Sequence, residues 1–194
     1  ATGDEIVEPG SYNSERNIYN SNAYVLYSEV KKYGGNPHYA GIVKDEKTEV
    51  LKRFSELLKY DVIISSGGVS MGKYDFIPGV LRELGIDIKV EKILMRPGKP
   101  VVFGTLGEKL FFGLPGNPVS VMVSFNRFVR PALLGMCGSL KTEKPVIKAV
   151  AEEDFIKKGD RRYYLRGSYT IKNGDFFVKS TGLQGSGILT SMSS

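Results

Sequence analysis

Asp61 to Ser65 is a short run of mostly β-branched and apolar residues that passes straight into Ser66-Gly67-Gly68. An apolar run of this length, bounded by turn residues, suits a strand buried on both faces of a parallel sheet. Parallel strands cannot be joined by tight hairpins, so each needs a crossover, usually a helix. The flanking sequence supplies them. Ser21 to Tyr33 places Ala23, Leu26 and Val30 at helical spacing and meets a stop at Gly34-Gly35. Lys47 to Tyr60 repeats the pattern with Val50, Leu51, Phe54, Leu57 and Leu58 on one face. Between them His38 to Val43 reads as a strand. Phe76 to Leu84 reads as a further helix ended by Gly85, and Ile86 to Met95 as the next strand. The fold class expected is α/β, a doubly wound, mostly parallel sheet, whose ligands bind beyond the carboxyl ends of the strands.

Farther on, Val101 to Leu114 reads as two strands around Leu106-Gly107-Glu108, and Pro118 to Leu134 as a long apolar helix closed by Gly135. Lys144-Pro145 then reads as a linker. Val146 to Val178 alternates and contains Asn173-Gly174, a strong hairpin signal. Two units are therefore expected: an α/β domain over residues 1–143 and part of a small all-β domain over residues 144–194. The Gly/Ser-rich end, Gly182 to Ser194, reads as a functional loop followed by a cut end.

Bulk properties narrow the chemistry. No apolar run approaches the roughly 20 residues that span a bilayer, and Ala1 to Gly10 lacks the pattern of a signal peptide, so a soluble, cytoplasmic protein is expected. Cys137 and His38 are the only residues of their kinds, which excludes an intramolecular disulfide and a Cys/His zinc cluster; any metal must be a hard cation held by oxygen. The formal charge of +6 favours an anionic partner. Nucleic acid is disfavoured, because the basic residues are dispersed and no zinc-finger spacing, RNP motif or dense basic tract occurs.

The segment SSGGVSMGKYD, Ser65 to Asp75, puts paired glycines and hydroxyls where a buried strand ends and a helix is about to begin. Such a turn lets backbone N–H groups approach a phosphate without a Cβ in the way. By itself it also fits a plain tight connection, and it matches neither the Walker motif nor the dinucleotide fingerprint. Three more segments fall at strand ends: TGDE at Thr2 to Glu5, RPGKP at Arg96 to Pro100, and GLPGNPVS at Gly113 to Ser120. In the last, Asn117 can cap a helix whose first residue is Pro118, while Pro115 and Gly116 stiffen the turn and bare its amides.

This order of motifs resembles the molybdopterin molybdotransferase family, MoeA in bacteria and the E domain of gephyrin in animals. The resemblance covers about Ala1 to Gly138 strongly and continues more loosely to GLQGSGIL, Gly182 to Leu189. Relatives of the same fold usually carry GGTG or GGLG at the central turn, so GGVS favours the molybdotransferase. The resemblance implies insertion of molybdate into adenylylated molybdopterin with release of AMP, assisted by magnesium. It implies metal and pyrophosphate roles for Glu5, Asp45 and Asp75, and catalytic roles for Asp45, Asp75, Lys92 and Arg96, the last departing from a more familiar lysine. Substrate contacts are implied for Ser66, Gly67, Gly68, Ser70, Lys99, Pro115, Gly116, Asn117, Pro118 and Ser186. Oxygen ligands at strand ends suit magnesium bridging phosphate oxygens, and the cationic side chains suit molybdate and phosphate.

Family members place two further domains before the point where this chain opens and build the active site between subunits of a homodimer. The isolated chain is therefore expected to bind substrate and turn it over poorly. Two other functions compete: a non-catalytic scaffold of the gephyrin type and a molybdopterin adenylyltransferase of the same fold.

Overall fold

The structure, a computed structural model, describes residues 1–11, 14–69, 76–157, 159–187 and 189–192. Its elements in chain order are β1 (Ile6–Val7), β2 (Ile18–Tyr19), α1 (Ser21–Lys32), α2 (Lys47–Leu57), β3 (Val62–Ser66), α3 (Ile77–Glu83), β4 (Asp87–Val90), β5 (Met95–Arg96), β6 (Val102–Leu106) and β7 (Lys109–Leu114). There follow α4 (Pro118–Ser124), a π-helical segment Phe125–Val129, α5 (Arg130–Met136), β8 (Val150–Ala151), β9 (Arg162–Tyr163), β10 (Gly167–Lys172), β11 (Asp175–Ser180) and a 3-10 turn Leu189–Met192.

The central sheet has the order β3-β7-β6-β4. β3 runs parallel to β7, and β6 runs antiparallel to both β7 and β4, so β3, β7 and β4 point the same way and β6 alone is reversed. Beyond β3, Thr2 donates its N–H to the Ser66 carbonyl at 3.0 Å and forms a parallel bridge with Val43, which extends the direction of the sheet by two short steps. Side-chain alternation sorts the core into two layers. Phe111 packs with Val50, Phe54, Ile63, Val80 and Leu81 under α2 and α3; its neighbour Phe112 packs with Leu26, Leu114, Val121, Phe125 and Val129 under α1 and the long helix. Helices on both faces of a mostly parallel sheet are the doubly wound arrangement that the periodicity predicts.

Four local features depart from the sequence reading. The His38 to Val43 strand is reduced to the single bridge at Val43, since Gly41 sits at φ +85°, where an extended ladder cannot continue. The Ile86 to Met95 strand is divided: the register slips between Ile88 and Val90, and Met95–Arg96 pairs with β9 instead. The helix from Pro118 is one continuous rod to Met136, but it widens to π geometry before Pro131, with the Arg130 N–H donated to the Phe125 carbonyl. Proline has no N–H, and its ring crowds the carbonyl four residues back, which accounts for the widening there. The short parallel pair β1–β2 is not signalled by any alternation.

After Glu143 the chain forms a three-stranded sheet of order β10-β11-β8. Asn173 and Gly174, both in the left-handed region, close the β10–β11 hairpin as the dipeptide predicts.

Candidate functional site

All the motif loops leave the sheet at one edge. β3, β7 and β4 end there, leading into Ser66-Gly67-Gly68, into Pro115-Gly116-Asn117 and toward Lys92; Thr2 and Val43 end there too, leading to Asp4-Glu5 and Asp45. Because β6 is reversed, the RPGKP loop that feeds it lies at the same edge.

The centre is tightly built. Gly67 donates its N–H to the Leu114 carbonyl at 3.1 Å, and a Cβ placed on Gly116 would stand 3.7 Å from the Gly67 Cα, so the β3 and β7 loops touch through backbone. Gly67 and Gly68 have φ of +91° and +64°; a Cβ on Gly67 would meet the Thr2 carbonyl at 2.4 Å, and one on Gly68 the Thr2 hydroxyl at 2.8 Å. Asn22, near the start of α1 and buried, donates through Nδ2 to Ser66 Oγ at 2.9 Å and to the Gly116 carbonyl at 2.7 Å. Sequence reasoning passed over this residue. The signal was there: Asn22, Leu26 and Val30 are spaced by four, which puts a polar side chain on the buried stripe.

Asn117 stands at the N-cap with an extended backbone and Pro118 follows at the first helical position, but no side-chain capping bond forms; the buried Asn117 Oδ1 has no partner among the described residues. A Cβ on Gly187 would lie 3.9 Å from Asn117 Nδ2, which brings the GLQGSG loop and the half-buried Ser186 beside the β7 loop. That loop is held by Arg166, a second residue the sequence reading missed and one for which its pattern offers no signal. Arg166 is 8% exposed; it donates to Ser191 Oγ at 2.9 Å and to the carbonyls of Gln184 and Gly185 at 3.3 and 3.0 Å. Burial lowers its pKa from the usual arginine value.

The acidic side is looser. The Asp45 N–H donates to Asp4 Oδ1 at 3.2 Å, and a side chain at Gly3 would sit 2.9 Å from Glu5 Oε2. Burial, and then the charges of Asp4 and Glu5, push the Asp45 carboxyl above its ordinary value, against a smaller opposing hydrogen bond from the Asp4 backbone. Crowded carboxylates with oxygen-only donors fit a hard divalent cation. Among the described residues no three acidic, histidine or cysteine side chains converge closely enough to hold a metal by themselves. Asp75 and Ser70 lie outside the described residues.

The basic residues line the other flank. Lys92, Arg96 and Lys99 are exposed, and the Ile93 N–H donated to the Lys99 carbonyl at 3.0 Å closes the loop that carries them. Gly98 packs against the long helix, where a Cβ would meet Ser124 Oγ at 2.7 Å. β9 adds to β5, with the Arg162 N–H donated to the Leu94 carbonyl and the Tyr164 N–H to the Arg96 carbonyl, both at 2.8 Å. Arg96 lies over the Tyr163 ring at 5.5 Å, and Arg127 over the Tyr164 ring at 5.3 Å.

Residues 1–135 match the family model described as a probable molybdopterin binding domain, and residues 148–194 match that of the MoeA C-terminal region, domain IV. The chain belongs to the MoeA family. It is 37% identical over 99% of its length to the molybdopterin molybdenumtransferase of Nostoc sp., covering 45% of that protein. It is 36% identical over 96% of its length to the enzyme of the same name from Haemophilus influenzae, covering 46% of it. A solved structure of the molybdopterin biosynthesis MoeA protein from Pyrococcus horikosii superposes with a TM-score of 0.78 at 31% identity, over 98% of this chain and 45% of that one. The chain thus spans about half the length of the relatives it matches. Among the described residues no helix is long and apolar enough to cross a membrane.

Proposed function

We propose that this chain carries the substrate-binding half of a molybdopterin molybdotransferase, which inserts molybdate into adenylylated molybdopterin and releases AMP in the cytoplasm. The observation that carries this reading is the meeting of glycine-rich, acidic and basic loops at one edge of the sheet, in a chain that matches the family over 1–135 and 148–194. Residues 1–143 supply the α/β half of the site and residues 144–194 the small β domain that brings Ser186 toward it.

Each group has a physical role. Gly68, Gly116 and Asn117 offer backbone N–H donors to the substrate's phosphates and Ser66 and Ser70 their hydroxyls, while Gly67, whose N–H is taken by the Leu114 carbonyl, leaves room for the ligand to approach. Pro115 and Pro118 keep the β7 loop stiff. Lys92, Arg96 and Lys99 attract molybdate and phosphate oxygens; Arg96 can grip an oxyanion with two parallel N–H bonds. Magnesium, held by Glu5, Asp45 and Asp75 together with phosphate oxygens and water, would draw charge from the scissile linkage. Such a cation fits a site where, among the described residues, no three carboxylates converge, because magnesium is commonly held by one or two carboxylates plus substrate phosphates. On this reading the partner subunit of a homodimer completes the site.

The test is release of AMP from adenylylated molybdopterin. The chain is expected to bind this substrate, to release AMP only with molybdate and magnesium, and to do so more slowly than a relative of twice its length. Failure to bind the substrate at all would overturn the assignment. A rate equal to the longer relative's would overturn the need for a partner-completed site.

A further inference from the structure

We propose that Asn22 is the positioning residue that sets the polarity of this pocket, turning two loops that would otherwise present oxygen acceptors into a surface of donors. The proposal rests on the reading of the edge as an anion site and names the residue that makes it one.

An amide nitrogen has two hydrogens, and Asn22 uses both: one on Ser66 Oγ at 2.9 Å, the other on the Gly116 carbonyl at 2.7 Å. The carbonyl fixes the orientation of the amide. It can only accept, so a flipped Asn22 would set two oxygens against each other. Each bond has a consequence on the far side of its acceptor. The Ser66 hydroxyl, with a lone pair taken by Asn22, is left to donate its own proton. The Gly116 carbonyl, turned toward Asn22, turns the next N–H the opposite way, because the two dipoles of a trans peptide are antiparallel. That N–H belongs to Asn117, and no described residue accepts from it. A single side chain therefore neutralises two oxygens that would repel an anion and aims two donors away from itself. It does so across the β3 and β7 loops at once, where their backbones already touch through Gly67 and Gly116. Asn22 is only 9% exposed, so these bonds form where water competes little.

The experiment is calorimetric titration of the 194-residue chain with inorganic pyrophosphate, on the wild type, Asn22→Ala, Ser66→Ala, the double variant and Asn22→Asp, with melting temperatures measured alongside. Asn22→Ala is expected to weaken pyrophosphate roughly tenfold, the order of loss for one or two charge-assisted hydrogen bonds. Adding Ser66→Ala to it should cost little more, because the serine's donation depends on Asn22. Asn22→Asp keeps the shape but carries only acceptors and a negative charge; it sets an oxygen against the Gly116 carbonyl and is expected to weaken binding further and to melt lower than Asn22→Ala. If the wild type binds pyrophosphate and Asn22→Ala binds it within twofold, or if the two alanine losses simply add, the proposal is overturned and the anion site stands. If the loss tracks the fall in melting temperature across the wild type and the three alanine variants, Asn22 is structural only and the proposal is likewise overturned. If the wild type does not bind pyrophosphate, the anion reading falls and takes the proposal with it.

Discussion

At the scale of single residues the site is governed by what is absent from Gly67. Its φ of +91° disfavours any side chain, and an added Cβ would stand 2.4 Å from the carbonyl of Thr2, a residue anchored by its N–H donated to the Ser66 carbonyl. Gly107 separates the two effects: it is also left-handed, at φ +57°, but nothing lies within 4 Å of its Cβ position. Gly107→Ala should cost about 1 kcal/mol, the backbone penalty alone. Gly67→Ala should cost about 3 kcal/mol or more, because backbone must shift as well. Urea titration of the two variants checks the difference; equal midpoints would mean that Thr2 yields freely. Asp45 gives a second expectation. Its carboxyl is raised above the ordinary value of 3.8 by burial and by Asp4 and Glu5, so the folded chain holds that proton more tightly than the unfolded chain does. This contribution to stability is present in full below 3.8 and is lost as the pH rises through the raised folded value. Asp45→Asn should therefore flatten the decline in urea midpoint between pH 3.8 and the raised folded value. Magnesium should raise the wild-type midpoint more than the variant's if Asp45 is a ligand.

At the scale of elements, β3 pairs with a strand on one side only; on the other, among the described residues, it meets just the Thr2 N–H at the Ser66 carbonyl, so most of that edge is open to another strand. Between β3 and the extended segment through His38 lies a cavity of about 430 Å³, lined by Leu26, Val30, Ile63, Ile64 and Tyr60 among others, with Ala1 at its mouth. A segment of five or six β-branched residues joined to Ala1 would run back along β3, meeting its free edge and this apolar lining. Such an addition is expected to raise the melting temperature by about 5 °C, on the order of 2 kcal/mol for a domain of this size, and an acidic segment of equal length should not. The same edge explains how far the sequence could be read. α1, α2 and α3 are visible because an amphipathic stripe is a property of one segment. β6, β7 and the Asn173-Gly174 hairpin are visible because a turn dipeptide fixes both strands. The His38 to Val43 strand fails because a strand exists only with a partner, and one left-handed glycine at Gly41 keeps all but Val43 from finding one. The site divides in the same way. Its loops could be located, since they follow buried strands, whereas Arg166 could not, because its three acceptors lie up to 25 residues away and include two main-chain carbonyls.

At the scale of the whole molecule the question is what fastens the part after Glu143 to the sheet edge it serves. Besides the approach of Gly187 to Asn117, two devices are seen among the described residues. β9 lies parallel to β5 through main-chain bonds from Arg162 and Tyr164, and the adjacent rings of Tyr163 and Tyr164 each meet an arginine, Arg96 from the basic loop and Arg127 from the π segment. Main-chain pairing is indifferent to side-chain identity, but the ring contacts are not. A cation over an aromatic face contributes about 0.5–1 kcal/mol where water reaches it and more where it does not. A double-mutant cycle on Arg127 and Tyr164 isolates that quantity from the strand pairing, which all four proteins retain. The coupling expected in urea denaturation is about 1 kcal/mol. Because Arg96 belongs to the same strand pair, loosening Tyr164 should also free the basic loop, so Tyr164→Ala is expected to weaken molybdate binding severalfold without touching an anion-binding side chain. If Arg127→Ala and Tyr164→Ala add without coupling, and molybdate binds unchanged, the rings are passengers on the β5–β9 pair and the main chain alone joins the two parts.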